Sequence, residues 1–190
     1  MNKGKFVLIV GPSGSGKGTI IKNIRKRHPD WIYPFSYTTR AMRPGEENGL
    51  VYKFISKEEF EKGINDGKFL EYACVHEKGY YGTAKDEIMK GLEEGNVVVR
   101  EVDIQGFHSI KKALDASLLI TIFIEAGDLD ELKKRIAERG ALPDEEILRR
   151  MESAKREIAQ ADQCDFRIVN EYGKVDEAVN AVEKIILDNL

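Results

Sequence analysis

The chain has 190 residues, 42% apolar and 33% charged, which fits one soluble domain with a sizeable core and room for an inserted lobe. A net charge of −3 argues against a general nucleic-acid-binding surface, and no apolar run is long enough to span a membrane. Cys74 and Cys164 lack metal or redox spacing and are expected as buried thiols; with no signal or transit segment before Phe6, a cytoplasmic protein is expected.

Phe6 to Val10 is an apolar run rich in β-branched residues and reads as a buried strand. Gly11-Pro12-Ser13-Gly14-Ser15-Gly16-Lys17 follows, and then a helical pattern. Strand, glycine-rich turn and helix together read as a phosphate loop. The glycines let successive N–H groups converge, the helix N-terminus adds its dipole, and Lys17 brings a full positive charge. The position after the lysine, ordinarily a Ser or Thr whose hydroxyl holds Mg2+, is Gly18. Thr19 comes one residue later, turned by about 100° around the helix. A metal would then rely on nucleotide phosphates, water and other carboxylates. The first helix is predicted over Thr19 to Arg27, with Ile20, Ile21 and Ile24 inward and Lys22, Arg25, Lys26 and Arg27 solvated.

Trp31 to Thr39 reads as extended. Arg40 and Arg43 then sit on a Gly/Pro-rich stretch that could build no core. It is either a solvated turn balanced by Glu46 and Glu47 or a bidentate phosphate site. Tyr52 to Ile55 reads as a strand, and Ser56-Lys57-Glu58-Glu59 is a capping box opening a helix to about Asn65. Phe69 to Val75 reads as a strand carrying Glu71, a surface charge or else an acceptor for a base edge. His76 to Gly79 turns the chain, and Tyr80-Tyr81-Gly82-Thr83 leads into a helix over about Ala84 to Glu94.

Val97 to Asp103 reads as a further strand ending in acids. Phosphate-loop proteins place Mg2+ and water ligands at the carboxyl end of such a strand, so Asp103 is the first candidate and Glu101 the second. Arg100 lies inside this strand, at the sheet's end or paired with a carboxylate. A helix runs to about Leu114, Leu118 to Ile124 is another buried strand, and Asp128 to Glu138 is helical with Leu129, Leu132 and Ile136 inward. Gly140 and Pro143 then break a charged segment carrying Arg135, Arg139, Arg149 and Arg150, which suits a mobile lid over a polyphosphate as well as a plain charged surface. A helix from about Asp144 to Ala161, a strand from Phe166 to Val169 ended by Asn170, and an amphipathic helix from Val175 to Leu187 complete the chain. The alternation predicts an α/β fold: a parallel-sheet core with helices on both faces, an inserted mixed α/β lobe and a short lid. Such a layout brings two phosphate-bearing ligands together, as a phosphotransferase on a small substrate would.

Gly11-Pro-Ser-Gly-Ser-Gly-Lys17, Ser36-Tyr-Thr-Thr-Arg40, Arg43-Pro-Gly-Glu46, Asn48-Gly49, Tyr52, Tyr80-Tyr-Gly-Thr83 and Asp103-Ile-Gln-Gly106 resemble guanylate kinase, in order, from residue 6 to about Asn170. The resemblance implies one domain over 1–190, with a core at about 1–35, 92–127 and 160–190, a GMP-binding lobe at about 36–91 and a lid at about 128–159. It implies transfer of the γ-phosphate of ATP to GMP with Mg2+. It assigns the GMP phosphate to Arg40, Arg43, Tyr52 and Tyr81, and the guanine edge to Ser36, Glu71, Thr83 and Asp103. It assigns ATP to Gly11, Pro12, Ser13, Gly14, Ser15, Gly16, Lys17, Gly18 and Thr19, with Arg135, Arg139 and, near the adenine, Asn170. Catalysis falls to Lys17, Arg40, Arg139 and Arg150, while the strand-end carboxylates Glu101 and Asp103 stay the candidates for Mg2+, through water. The chemistry agrees, since guanine's N1–H and N2–H2 are donors that suit Glu71. ATP and GMP are the expected partners, without nucleic acid or membrane; a monomer and a homo-oligomer are both compatible. Gly18, a turn at 76–79 one residue longer than the family's, and Tyr37 in place of a small hydroxyl residue depart from the family pattern. The alternatives are a sister kinase for another phosphorylated acceptor, or a guanylate-kinase-like interaction module without catalysis. The presence of Lys17, Arg40 and Arg150 speaks against the module.

Overall fold

The computed structural model describes residues 3–42, 46–49, 52–74, 79–138 and 143–190. Its elements are β1 (Lys5–Val10), α1 (Lys17–Arg27), β2 (Ser36–Thr38), β3 (Tyr52–Phe54), α2 (Lys57–Asn65), β4 (Phe69–Cys74), β5 (Tyr80–Ala84), α3 (Lys85–Glu93), β6 (Val97–Glu101), α4 (Ile104–Ala113), β7 (Leu119–Ala126), α5 (Leu129–Glu138), α6 (Asp144–Ile158), β8 (Phe166–Asn170) and α7 (Val175–Asp188). The chain forms two compact units. One comprises Met1–Phe6, Ile32–Val98 and Gln105–Leu119, and the other Val7–Trp31, Val99–Ile104 and Ile120–Leu190. Among the described residues no helix is long and apolar enough to cross a membrane.

A four-stranded parallel sheet, in the order β6-β1-β7-β8, accounts for the apolar runs. Val7 to Val10 and Ile122 to Ile124 are wholly buried, as strands covered on both faces must be. Strand order departs from chain order because parallel neighbours need crossovers, supplied here by helices. In the same unit α1 packs on α7, where Arg27 bonds Asn180 Oδ1 at 2.7 Å and Glu183 at 2.6 Å, and His28 meets the other oxygen of Glu183 at 2.7 Å. Arg27 is thus tied to its neighbour rather than simply solvated.

The other sheet has the order β3-β2-β5-β4, parallel between β2 and β3 and antiparallel elsewhere. Its apolar face is aromatic. Phe60, wholly buried on α2, stacks on Phe69 at 4.4 Å and on Tyr80 at 5.1 Å between ring centroids, and Tyr37 meets Phe69 edge-on at 5.6 Å. Tyr37 therefore fills core space where a small hydroxyl residue could not. The capping box forms as predicted: Glu59 N–H donates to Ser56 Oγ at 3.1 Å and Ser56 N–H to Glu59 Oε2 at 2.8 Å. We expect Phe60→Ala to destabilise the protein by roughly 3–5 kcal/mol, measured by urea unfolding followed by near-UV circular dichroism.

Several expectations are corrected. Tyr80–Ala84, read only as leading into a helix from about Ala84, is a strand paired with β2 and β4, and Gly82 lies against rings: an added Cβ would stand 2.8 Å from Phe60 Cζ. Helix α1 starts at Lys17, two residues early, because Gly16 takes the left-handed conformation (φ 95°) and serves as its cap. Leu129 is 40% exposed, since the first residue of α5 leans beyond the helix end, whereas Leu132 and Ile136 are buried. Cys74 is exposed on the outer strand β4 and Cys164 is half-buried, so neither is a core thiol. Arg100, the penultimate residue of the edge strand β6, is buried. Val75, the turn residues 76–78 and Gly140 lie outside the described residues.

Candidate active site

The phosphate loop is built by contacts between backbones. Gly11 has φ 140°, and a Cβ there would lie 2.1 Å from the carbonyl oxygen of Ile124 on β7. Only glycine permits that approach, so it fixes where the chain leaves β1. Ser15 N–H returns to the Pro12 carbonyl at 3.1 Å, closing the turn. Helix α1 begins with no acid in its first turn and no side-chain cap, unlike α2, α5 and α6, which open on acids. Its N-terminal amides and dipole suit an external anion. Lys17 Nζ donates to the carbonyls of Gly11 at 2.5 Å and Pro12 at 3.0 Å, folded back over the loop it serves.

Asn170, at the end of β8, is 4% exposed and donates from Nδ2 to the Ser15 carbonyl at 2.8 Å. Arg135 Nη2 donates to the Asn170 carbonyl at 2.7 Å and also pairs with Glu131. Arg150 donates to Glu146 at 2.8 Å from the same helix. Gly18 and Thr19 are exposed, and a Cβ on Gly18 would lie 3.6 Å from Glu101 Oε2, at ordinary contact. Glu157 on α6 feels both Lys17 and Asp103. Burial raises its pKa, Lys17 opposes the rise and Asp103 adds to it. Among the described residues no three His, Cys, Asp or Glu side chains are grouped to hold a metal ion.

The other unit carries the second set of candidates. Strand register sets Tyr52 opposite Ser36, Ser36 opposite Thr83, and Thr83 opposite Glu71. Residues opposite one another share a face, so the four form one row across β3, β2, β5 and β4. The Thr83 hydroxyl donates to Glu71 Oε1. Tyr81 occupies the next row, opposite Thr38, with its ring 6.2 Å from that of Tyr52. Arg40 makes a two-pronged pair with Glu46, at 2.7 and 2.6 Å, and its guanidinium lies 4.9 Å from the Tyr52 ring centre. The Glu46 carboxylate raises the Arg40 pKa further above its ordinary value, so Arg40 is a permanent cation. Arg43 and Arg139 lie outside the described residues.

The guanylate kinase family model matches residues 3–189. The chain belongs to the guanylate kinase family. It is 42% identical over 187 residues to a guanylate kinase of Clostridium perfringens strain 13, covering 98% of this chain and 84% of the relative. It is 40% identical over 186 residues to one of Carboxydothermus hydrogenoformans, covering 98% of this chain and 89% of the relative. The crystal structure of guanylate kinase from Anaplasma phagocytophilum shares the fold, with a TM-score of 0.77 at 23% identity, covering 99% of this chain and 87% of that one. As a guanylate kinase the chain is a nucleotide kinase.

One residue of this guanylate kinase escapes sequence reading: Glu157. On a charged helix it resembles any surface acid, and only the packing shows it partly buried near Lys17. Its raised pKa has a consequence for stability. Between the unfolded value, about 4.3, and its higher folded value, the native chain holds a proton that the unfolded chain has lost. Stability therefore falls as pH rises through that window. We expect Glu157→Gln to raise the thermal midpoint at pH 7 and to leave it unchanged near pH 4, measured by calorimetry.

Proposed function

We propose that the chain transfers the γ-phosphoryl group of ATP to GMP, giving ADP and GDP, in cytoplasmic purine nucleotide metabolism. The observation that carries the reading is the row Ser36–Thr83–Glu71, two hydroxyls and a carboxylate along one sheet face. A carboxylate with hydroxyl neighbours matches guanine, whose N1–H and N2–H2 donate side by side. Asp103 completes the guanine edge by resemblance. Arg40, Arg43, Tyr52 and Tyr81 take the GMP phosphate; Arg40, whose fork Glu46 now fills, exchanges one anion for another.

Residues 11–19 hold the ATP phosphates, with Arg135, Arg139 and Arg150 from a lid spanning about 128–159. An oxygen of the GMP phosphate attacks the γ-phosphorus in line. The bond from that phosphorus to the β,γ-bridging oxygen breaks, and its electron pair leaves with ADP. The attacking oxygen is already anionic, so no general base is needed. Lys17, Arg40, Arg139 and Arg150 neutralise charge on the transferred group. Gly18 offers no hydroxyl, so Glu101, whose carboxylate lies beside it, and Asp103 would hold Mg2+ through water. The ion supplies charge neutralisation between phosphates. Closure of lobe and lid excludes water and suppresses ATP hydrolysis.

The test is a coupled assay of ADP release with Mg2+ and ATP, offering GMP, AMP, UMP, CMP or no acceptor. Release that depends on GMP, and is orders of magnitude faster than with the rest, is expected. Activity with another acceptor transfers the claim to a sister kinase. Silence with all of them in a protein that still binds GMP identifies an interaction module.

A further inference from the structure

We infer that Asn170 acts on the ATP phosphates by aiming the phosphate loop. The residue is 4% exposed, and its side-chain nitrogen is committed to the Ser15 carbonyl at 2.8 Å. A Cβ on Gly16 would lie 2.2 Å from that same nitrogen, so amide and loop meet at a distance that only glycine allows. The peptide group explains the effect. The carbonyl of Ser15 and the N–H of Gly16 belong to one planar trans unit and point in opposite directions. A donor that holds the carbonyl therefore turns the Gly16 N–H the other way, away from Asn170.

Asn170 is itself anchored. Its backbone carbonyl accepts from Arg135, and Arg135 is paired with Glu131 one helical turn earlier on α5. The contacts form a continuous chain from α5 through the end of β8 to the loop. Asn170 thus acts on the ATP phosphates through one peptide plane, with Arg135 as its anchor. Toward the phosphates Asn170 is a positioning residue, acting through the peptide group that its side-chain nitrogen holds.

This inference rests on the reading of residues 11–17 as a triphosphate cradle, and its test separates the two. Tripolyphosphate carries the phosphates of ATP and no base. With Mg2+ held constant, calorimetric titration of the full chain with tripolyphosphate, ATP and GMP is compared for wild type, Asn170→Ala and the near-isosteric Asn170→Asp. Loss of one aimed donor to an anion is expected to weaken tripolyphosphate and ATP alike, about tenfold each, with GMP affinity unchanged. The Gly16 amide resonance should also move in both variants before any ligand is added, reporting the changed peptide group; weakened phosphate binding with GMP affinity kept is what a merely structural role would not produce. Weakened ATP with unchanged tripolyphosphate overturns the inference in favour of base contact. Unchanged affinity for both overturns it outright. A wild-type chain that binds neither ligand refutes the cradle reading itself. If the alanine variant does not fold, Asn170→Ser takes its place in the same comparison.

Discussion

Lys17→Ala is expected to lower turnover by at least about a thousandfold while GMP affinity survives. The lysine has two separable tasks. Without ligand, Nζ bonds the carbonyls of Gly11 and Pro12, which keeps its charge at the mouth of the loop. During transfer its charge would meet the γ-phosphate, where negative charge is redistributed and little covalent chemistry is left to the protein. Alanine removes both contacts at once. Six of the candidate GMP residues, Ser36, Arg40, Tyr52, Glu71, Tyr81 and Thr83, belong to the other compact unit, so GMP binding has no reason to follow. Steady-state kinetics with calorimetric GMP titration checks the split; equal loss of both would contradict it. Glu157 supplies an independent readout. Lys17 holds the Glu157 pKa down, so its removal should push that pKa higher still.

Glu71→Gln is expected to lower kcat/KM for GMP by about two orders of magnitude and to raise it for AMP. The carboxylate accepts the Thr83 hydroxyl and belongs to the row that also holds Ser36. Against guanine it presents two acceptors to two donors. Glutamine keeps one acceptor and turns an NH2 group towards a guanine donor, leaving both unsatisfied. Adenine is the better match for that amide: its N6 amino group donates to the amide oxygen, and its N1 accepts from the amide nitrogen. Competition assays with GMP and AMP in the presence of ATP measure the ratio. Unchanged selectivity would remove Glu71 from the guanine edge.

Local chemistry made some of this legible and tertiary chemistry hid the rest. The strand, loop and helix from Phe6 to Arg27 are readable because buried apolar runs and loop glycines are local constraints. The capping box at Ser56 is readable for the same reason. Strand β5 was hidden because its pairing partners lie on β2 and β4, and the lack of a side chain at Gly82 is what lets Phe60 and Phe69 close on it. The row from Tyr52 to Glu71 joins four strands, and register between strands leaves no trace in any one of them. Arg40 reads either as a phosphate site or as a cation balanced by Glu46 and Glu47, and the pair with Glu46 is the part the structure shows. Glu157, and the bond from Asn170 to the Ser15 carbonyl, needed packing. A glutamate on a charged helix and an asparagine at a strand end look alike whether they face water or a glycine loop.

The approach of Gly11 to the Ile124 carbonyl bears on how such a chain can diverge. Contact between two backbones is blind to the side chains on either strand. Val, Ile and Leu can exchange along β1 and β7 over many generations, provided the sheet keeps its spacing, and the position where the loop begins does not drift with them. The tolerance is one-sided: the core beneath the loop is free to change its composition, but no substitution elsewhere can make room for a side chain at Gly11.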